Sequence, residues 1–157
     1  MREAIGGTWL VQIVVLFVLL FTGFLCLTIN HTKAFNVKNM IVNAIERYDG
    51  SDLSNPESDP AMNMIVDYLK KASYRTVGNC PNEYTGFNRD GKLDNRNAAF
   101  CILKKNVRGE SYHPEEFPDV SYYRVIVFYQ LDLPLFSEAF NFKVTGDTKL
   151  IGVSNAK

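Results

Sequence analysis

Polar and apolar positions change rhythm three times along the chain. Between Ala4 and His31 there is no charged residue, and from Trp9 to Ile29 only Gln12, Thr22, Gly23 and Thr28 are not strongly apolar. At a rise of about 1.5 Å per residue, that run makes a helix of roughly 30 Å, the hydrocarbon thickness of a bilayer. Residues 9–29 therefore read as a transmembrane helix, with 1–8 as a short cytoplasmic stub or leader. A cleaved secretory signal needs a basic start, an apolar stretch of about 7–15 residues and a small-x-small cleavage site. Here Arg2 and the amino terminus are the only basic groups before a longer run, and Asn30, His31, Thr32 and Lys33 supply no such site.

Beyond residue 30 the rhythm becomes amphipathic. Apolar residues at Ala34, Val37, Ile41, Ala44, Ile45 and Tyr48 follow the three-and-four spacing of a helix with one buried stripe. Neither Gly nor Pro occurs between Gly23 and Gly50, so residues 30–48 are expected to continue the membrane helix as one rod of about 40 residues, roughly 60 Å long. Asp49-Gly50 is the expected stop, and 49–60 is an acidic, turn-rich loop. Asp59 as N-cap and Pro60 in the first turn predict a second helix over 61–73, with Met64, Ile65, Tyr68 and Leu69 on one face and Lys70 and Lys71 at its C-terminal end.

After Ser73 the period falls to two. Residues 98–107 form a strand candidate, and 121–133 give the strongest alternation, with Tyr123, Val125, Val127, Tyr129, Leu131 and Leu133 on one wholly apolar face. Tyr122, Arg124, Ile126, Phe128, Gln130 and Asp132 make a mixed face, expected to be partly wet. Pro134 should end that strand. Phe140, Phe142 and Val144 alternate up to a turn at Gly146-Asp147, and 149–153 is expected to return as a further strand. A helix with one apolar stripe and a sheet with one apolar face each need a cover. The expected fold is thus α+β: a long N-terminal transmembrane helix continuing into a soluble domain and packing on an antiparallel sheet, with 49–157 as the extracytoplasmic part.

Composition refines this reading. The 157 residues carry 17 basic and 17 acidic side chains, which leaves no electrostatic case for nucleic acid. The flanks of the apolar run are too evenly charged to orient it, with Arg2 and Glu3 on one side and Lys33 and Lys38 on the other. The cysteines carry more weight. Cys26 lies inside the run, whereas Cys80 and Cys101 are an even pair in the soluble part. They are compatible with a disulfide in an oxidising compartment, the alternative being two unrelated buried thiols. The disulfide reading places the C-terminal domain outside the cytoplasm. Closing a loop of that length contributes about 3 kcal/mol in the chain-entropy model.

An apolar N-terminal helix running from the membrane into the soluble part, then a loop, then an antiparallel sheet with a late cysteine pair, resembles the type IV pilin-like proteins. Among these it looks most like the minor pseudopilins of tight-adherence (Tad) pilus systems. The resemblance covers the whole chain as architecture and residues 6–48 as sequence character. It implies a bacterial single-pass protein whose helix packs with other pilin-like subunits or with an inner-membrane assembly platform, as a homo- or hetero-oligomer. Pilin precursors are cut after a Gly just before the apolar run and carry Glu at the fifth mature position. Here a cut between Gly7 and Thr8 makes Gln12 the fifth residue, and a cut after Gly6 makes it Val11, so the charged partner of the family is replaced. Gln12 and Gly23 are the expected points of close helix approach.

Candidate chemistry is sparse. Gly86 to Asn97 has oxygen-bearing residues at alternate positions, with Asn88, Asp90 and Asp94 as a calcium-loop candidate, but Gly86 and Asn97 stand where an EF-hand needs Asp and a bidentate Glu. The competing reading is a plain turn at Asp90-Gly91 between two extended segments. Asn30-His31-Thr32 matches a glycosylation sequon against the membrane, and His113, Glu115 and Glu116 fall in a Pro-rich acidic loop. With only His31 and His113 in the chain and no C-x-x-C, a zinc site is not expected. No nucleophile, phosphate-loop or metalloprotease motif is present. Tyr122 and Phe128 are either core or a contact for a subunit or ligand. The reading is a non-catalytic, cofactor-free assembly subunit; the alternative is a single-pass extracytoplasmic ligand-binding or sensor module that does not polymerise.

Overall fold

A computed structural model describes residues 2–107, 120–131 and 140–152. The first element, α1 (Arg2–Arg47), is one unbroken helix of 46 residues, roughly 69 Å at 1.5 Å per residue. It starts earlier than the apolar run, so no structural boundary separates residues 2–8 from the run. It ends where expected. Asp49 takes φ 52° and Gly50 φ 134°, and the Gly50 N–H donates to the Ile45 carbonyl at 2.9 Å, the six-to-one bond of a Schellman turn.

Helix α2 (Pro60–Lys71) begins on Asp59, whose carboxylate accepts from the Ala61 N–H at 3.0 Å and from the Asp52 N–H at 3.1 Å, and also receives the Ser51 hydroxyl. One buried cap thus fixes both the helix start and the preceding loop. Ser73, at φ 49°, ends α2 in the same way, with the Tyr74 N–H on the Leu69 carbonyl. The buried face is Ala61, Met62, Ile65 and Leu69. Met64 and Tyr68 pack at its margin, so the stripe is rotated from the expected one toward Met62.

Five strands follow: β1 (Thr85–Phe87), β2 (Phe100–Asn106), β3 (Val120–Leu131), β4 (Phe140–Asp147) and β5 (Ile151–Gly152). All pairings are antiparallel, in the order β1-β2-β3-β4, with β5 also beside β3. β1 is the extended segment before the Asp90-Gly91 turn, bridged to Leu93 beyond it, and is too short for alternation to register. The end expected at Leu133 and Pro134 lies outside the described residues. The register pairs Phe100 with Val127, Ile102 with Val125, and Val144 with Val127, which aligns one apolar face across three strands. That face packs on α1 and α2. Ala34, Val37, Ile41, Ala44 and Ile45 of α1 meet Phe87, Phe100, Ile102, Val125 and Val127, with Ile65 and Leu69 closing the flank. Each buried Val or Ile contributes about 1.5–3 kcal/mol relative to exposure.

One expectation about the sheet is refined and one corrected. The mixed face of β3 is partly wet as expected, at Tyr122, Arg124 and Gln130, but its apolar members are covered. Ile126 and Phe128 are buried with Ala98 and Cys101, and Cys80 and Tyr84 pack over them. The segment from Gly78 to Ala98 is their cover, held by mutual hydrogen bonds between those two residues. It lies so close that a methyl group on Gly78 would come within 2.4 Å of the Phe128 ring. The correction concerns the C-terminal strand. β5 does not fold back at Gly146-Asp147. It continues along the same edge of β3 after a bulge, because the Arg124 guanidinium clamps Asp147 at 2.7 and 2.9 Å and Thr148 occupies the next ladder position. The Thr148 N–H donates to the Tyr123 carbonyl, and its hydroxyl accepts the Tyr123 N–H, both at 2.9 Å. The Arg124 guanidinium holds the Asp147 carboxyl below its ordinary pKa.

Ile41 is 1% exposed at the centre of this layer. Ile41→Ala is expected to lower the unfolding free energy of the detergent-solubilised full chain by about 2–5 kcal/mol. Denaturant titration followed by near-UV circular dichroism measures it, and a change within experimental error would mean that α1 does not carry the core.

Candidate functional site: the apolar half of the long helix

The membrane-length window of α1 is uncovered by the rest of the chain. Trp9, Phe17 and Leu20 are each about two-thirds exposed, at 67%, 67% and 66%. In water so continuous an apolar surface is untenable for a folded monomer; in lipid it is the ordinary condition of a spanning helix. The polar side chains of the segment are arranged for that solvent. Thr22 and Thr28 return their hydroxyls to the Val18 and Phe24 carbonyls at 2.7 and 2.9 Å, so neither presents an unmet donor to hydrocarbon. Gln12 differs. Its carboxamide is exposed and has no partner among the described residues.

At about 100° per residue, Gln12, Leu16, Leu19, Gly23, Cys26 and Asn30 fall within about 40° of one line along the helix. The same line continues through Ala34, Val37, Ile41 and Ala44, the residues buried on the sheet. The two expected contact points, Gln12 and Gly23, therefore belong to the head-facing stripe, although they are separated along the axis. Exposure along it changes by degrees: Gln12, Leu16 and Leu19 are exposed, Gly23, Cys26, Leu27 and Asn30 are half-covered, and Ala34 is fully buried. Scanning for apolar runs hides this, because stripes cannot be distinguished where every face is apolar. It becomes legible when the soluble stripe is extended backwards.

The two halves meet at Asn30. Its side-chain amide donates to the Gln130 carbonyl at 3.2 Å and lies 3.7 Å from the Cys26 sulfur. His31 stands edge-on to Tyr129 at 5.5 Å, and Tyr129 stacks on Phe142 at 5.2 Å. Asn30 is thus part of the joint between α1 and β3. At the other end of the head, the Lys149 N–H donates to Glu46 at 2.9 Å and its ammonium sits 3.1 Å away. That backbone hydrogen bond, with the ammonium, holds the Glu46 carboxyl below its usual pKa. The head is therefore fastened to α1 at both ends.

The remaining candidates resolve individually. Gly7 and Thr8 lie within α1 as helical residues, and an added methyl at Gly7 would meet nothing. Cys80 and Cys101 form a disulfide with Cα atoms 5.8 Å apart, stapling the cover segment to β2. Asn88, Asp90 and Asp94 share one hairpin loop but not one centre. Asn88 accepts the Asp90 and Lys92 N–H groups, Asp94 accepts those of Arg96 and Asn97, and Asp90 faces Lys70 at 3.4 Å. With Gly91 at φ 79°, this is the turn that competed with the calcium reading. Among the described residues no group of three or more His, Cys, Asp or Glu side chains could hold a metal ion. Phe128 is 7% exposed and belongs to the core, leaving Tyr122 alone of that pair at the surface. His113, Glu115 and Glu116 lie outside the described residues.

A groove of about 260 Å³ runs beside the end of α2, lined by Tyr74, Arg75, Thr76, Asn88, Arg89 and Asn97 among others. Burial raises the pKa of Tyr74, and its hydroxyl donates to the Phe128 carbonyl, so this group ties α2 to the sheet. Neither arginine is ion-paired among the described residues.

No protein-family model, curated protein or solved structure matches the chain.

Because the disulfide closes a loop of 21 residues in sequence separation, Cys80→Ala with Cys101→Ala is expected to cost about 3 kcal/mol of stability. The intact mass of the full chain taken from membranes should also rise by two hydrogens on reduction. A mass unchanged by reduction would mean the bond does not form in the cell.

Proposed function

We propose that this chain is a membrane-anchored, non-catalytic pilin-like (pseudopilin) subunit that takes part in assembling a pilus or secretion apparatus, with its α+β head outside the cytoplasm. The observation that carries the reading is the unbroken course of α1 from Arg2 to Arg47. A tether needs only a span and a flexible linker, whereas this helix enters the head without a break and becomes its spine. Orientation of the head is thereby coupled rigidly to orientation of the span, as lateral assembly in a membrane requires. The disulfide supports an oxidising compartment for the head.

In this reading Gln12 is the recognition point. An unpartnered carboxamide in an apolar segment gains a hydrogen bond by meeting another helix, worth about 0.6–2 kcal/mol in a membrane. Since Gln12 shares its stripe with the sheet-packed residues, a partner helix bound there lies beneath this chain's own head. Neighbouring subunits would then overlap head over helix. The processing cut at Gly7-Thr8, the partner subunits and the assembly platform belong to the same proposal. The alternative, an extracytoplasmic binding or sensor module, draws support from the groove in which Arg75 and Arg89 stand beside Asp90, a polar lining suited to a small charged ligand.

The test lies in the membrane segment. With Cys26→Ser to remove the native thiol, a Leu16→Cys probe should cross-link to a neighbouring helix in native membranes. Gln12→Leu should weaken that association roughly three- to thirty-fold, and scrambling the order of residues 9–29 at constant hydrophobicity should abolish it. Cross-linking and complex formation that survive scrambling would leave the helix an inert anchor and favour the sensor reading.

A further inference from the structure

We infer that the membrane-proximal end of the sheet, Tyr129 of β3 stacked on Phe142 of β4, is seated in the lipid headgroup layer, so that the head stands on the bilayer instead of above it. The inference rests on reading residues 9–29 as the membrane span. His31 follows the last apolar residue, Ile29, by two positions, about 3 Å along the axis. The headgroup region on each side of a bilayer is about 5–7 Å deep. Tyr129 is edge-on to His31 at 5.5 Å and Phe142 stacks on Tyr129 at 5.2 Å, so this ring pair belongs to the end of the head nearest the apolar run.

Two further observations agree. The first head contact follows the apolar run at once, with the Asn30 side chain donating to the Gln130 carbonyl at 3.2 Å, so no linker separates head and span. Phe142 also keeps 38% of its surface exposed at the level where aromatic rings gain most from an environment apolar on one side and wet on the other. The opposite end of the head lies far from lipid. Lys149 is bonded to Glu46, which is 15 residues beyond His31 and hence about 22 Å further along α1. The neighbouring Leu150 is 62% exposed there. Lipid contact at one end only fixes the head's tilt as well as its height.

Depth-dependent quenching of the full chain in phosphatidylcholine vesicles, doped with lipid carrying a headgroup nitroxide, tests this. The native Trp9 reports insertion. In a Trp9→Phe background, Phe142→Trp should emit at shorter wavelength and be quenched severalfold more than Leu150→Trp. A fluorophore on Lys143→Cys, with Cys26→Ser, repeats the measurement at the same depth without touching the ring stack, and should behave as position 142 does. Quenching of Trp9 without quenching at 142 and 143 overturns the seating alone. Equal quenching at 142 and 150 also overturns it, in favour of a head lying flat. A blue-shifted but unquenched tryptophan at 142 overturns it in favour of a second protein copy as the cover. An unquenched Trp9 overturns the span itself.

Discussion

One helix in this molecule has to satisfy two solvents. Along its first half almost every side chain is apolar and exposed, a surface long enough to cross a bilayer, and along its second half a single stripe is buried while the others face water. The backbone allows this without a break because helical hydrogen bonds are internal to the segment and indifferent to what surrounds them. The burden falls on the side chains at the crossing. Asn30 meets it by bonding to a sheet carbonyl, His31 by placing its ring against Tyr129, and Ala34 by being small enough for complete burial. Everything else in the head is arranged around the second half of this rod.

The sheet answers that constraint on both faces. Its inner face is a continuous apolar surface shaped by register across β1 to β4, and α1 and α2 fill it. Its outer face would be left with Ile126 and Phe128 in water, and among the described residues no further helix covers them. The segment from Gly78 to Ala98 does so instead, with almost no regular structure. Its order comes from Asx turns at Asn88 and Asp94, the close approach of Gly78 to the Phe128 ring, and the disulfide. The cysteine pair is thus a structural staple on the one layer that hydrophobic burial alone secures poorly.

The parts of this architecture that were legible in the sequence are those governed by one period at a time. Apolar length identified a helix long enough to cross a membrane, three-and-four spacing identified Ala34 to Tyr48, and alternation identified β3 and its α1-facing residues. Reading failed where the outcome depends on long-range pairing. Nothing local says that β5 lies along β3 instead of returning beside β4, because the Arg124 clamp on Asp147 and the Thr148 bonds to Tyr123 exist only once those strands are adjacent. Nor does local pattern show that Phe128 is buried, since its cover is an aperiodic loop some 30 residues away. The alignment of Gln12 and Gly23 with the buried stripe follows from helix geometry, but only after the rod is known to be unbroken.

The central claim is that unbroken rod, and pulsed electron–electron distance measurement in nanodiscs tests it directly. With Cys26→Ser and the disulfide left intact, spin labels on Val18→Cys and Asn43→Cys bracket the crossing between lipid and water. A continuous helix places these positions, 25 residues apart, at about 38 Å with a narrow distribution. A broad distribution shifted to much shorter distances would mean that the chain bends freely near residue 30, and neither the shared stripe nor the coupling of head to span would survive it.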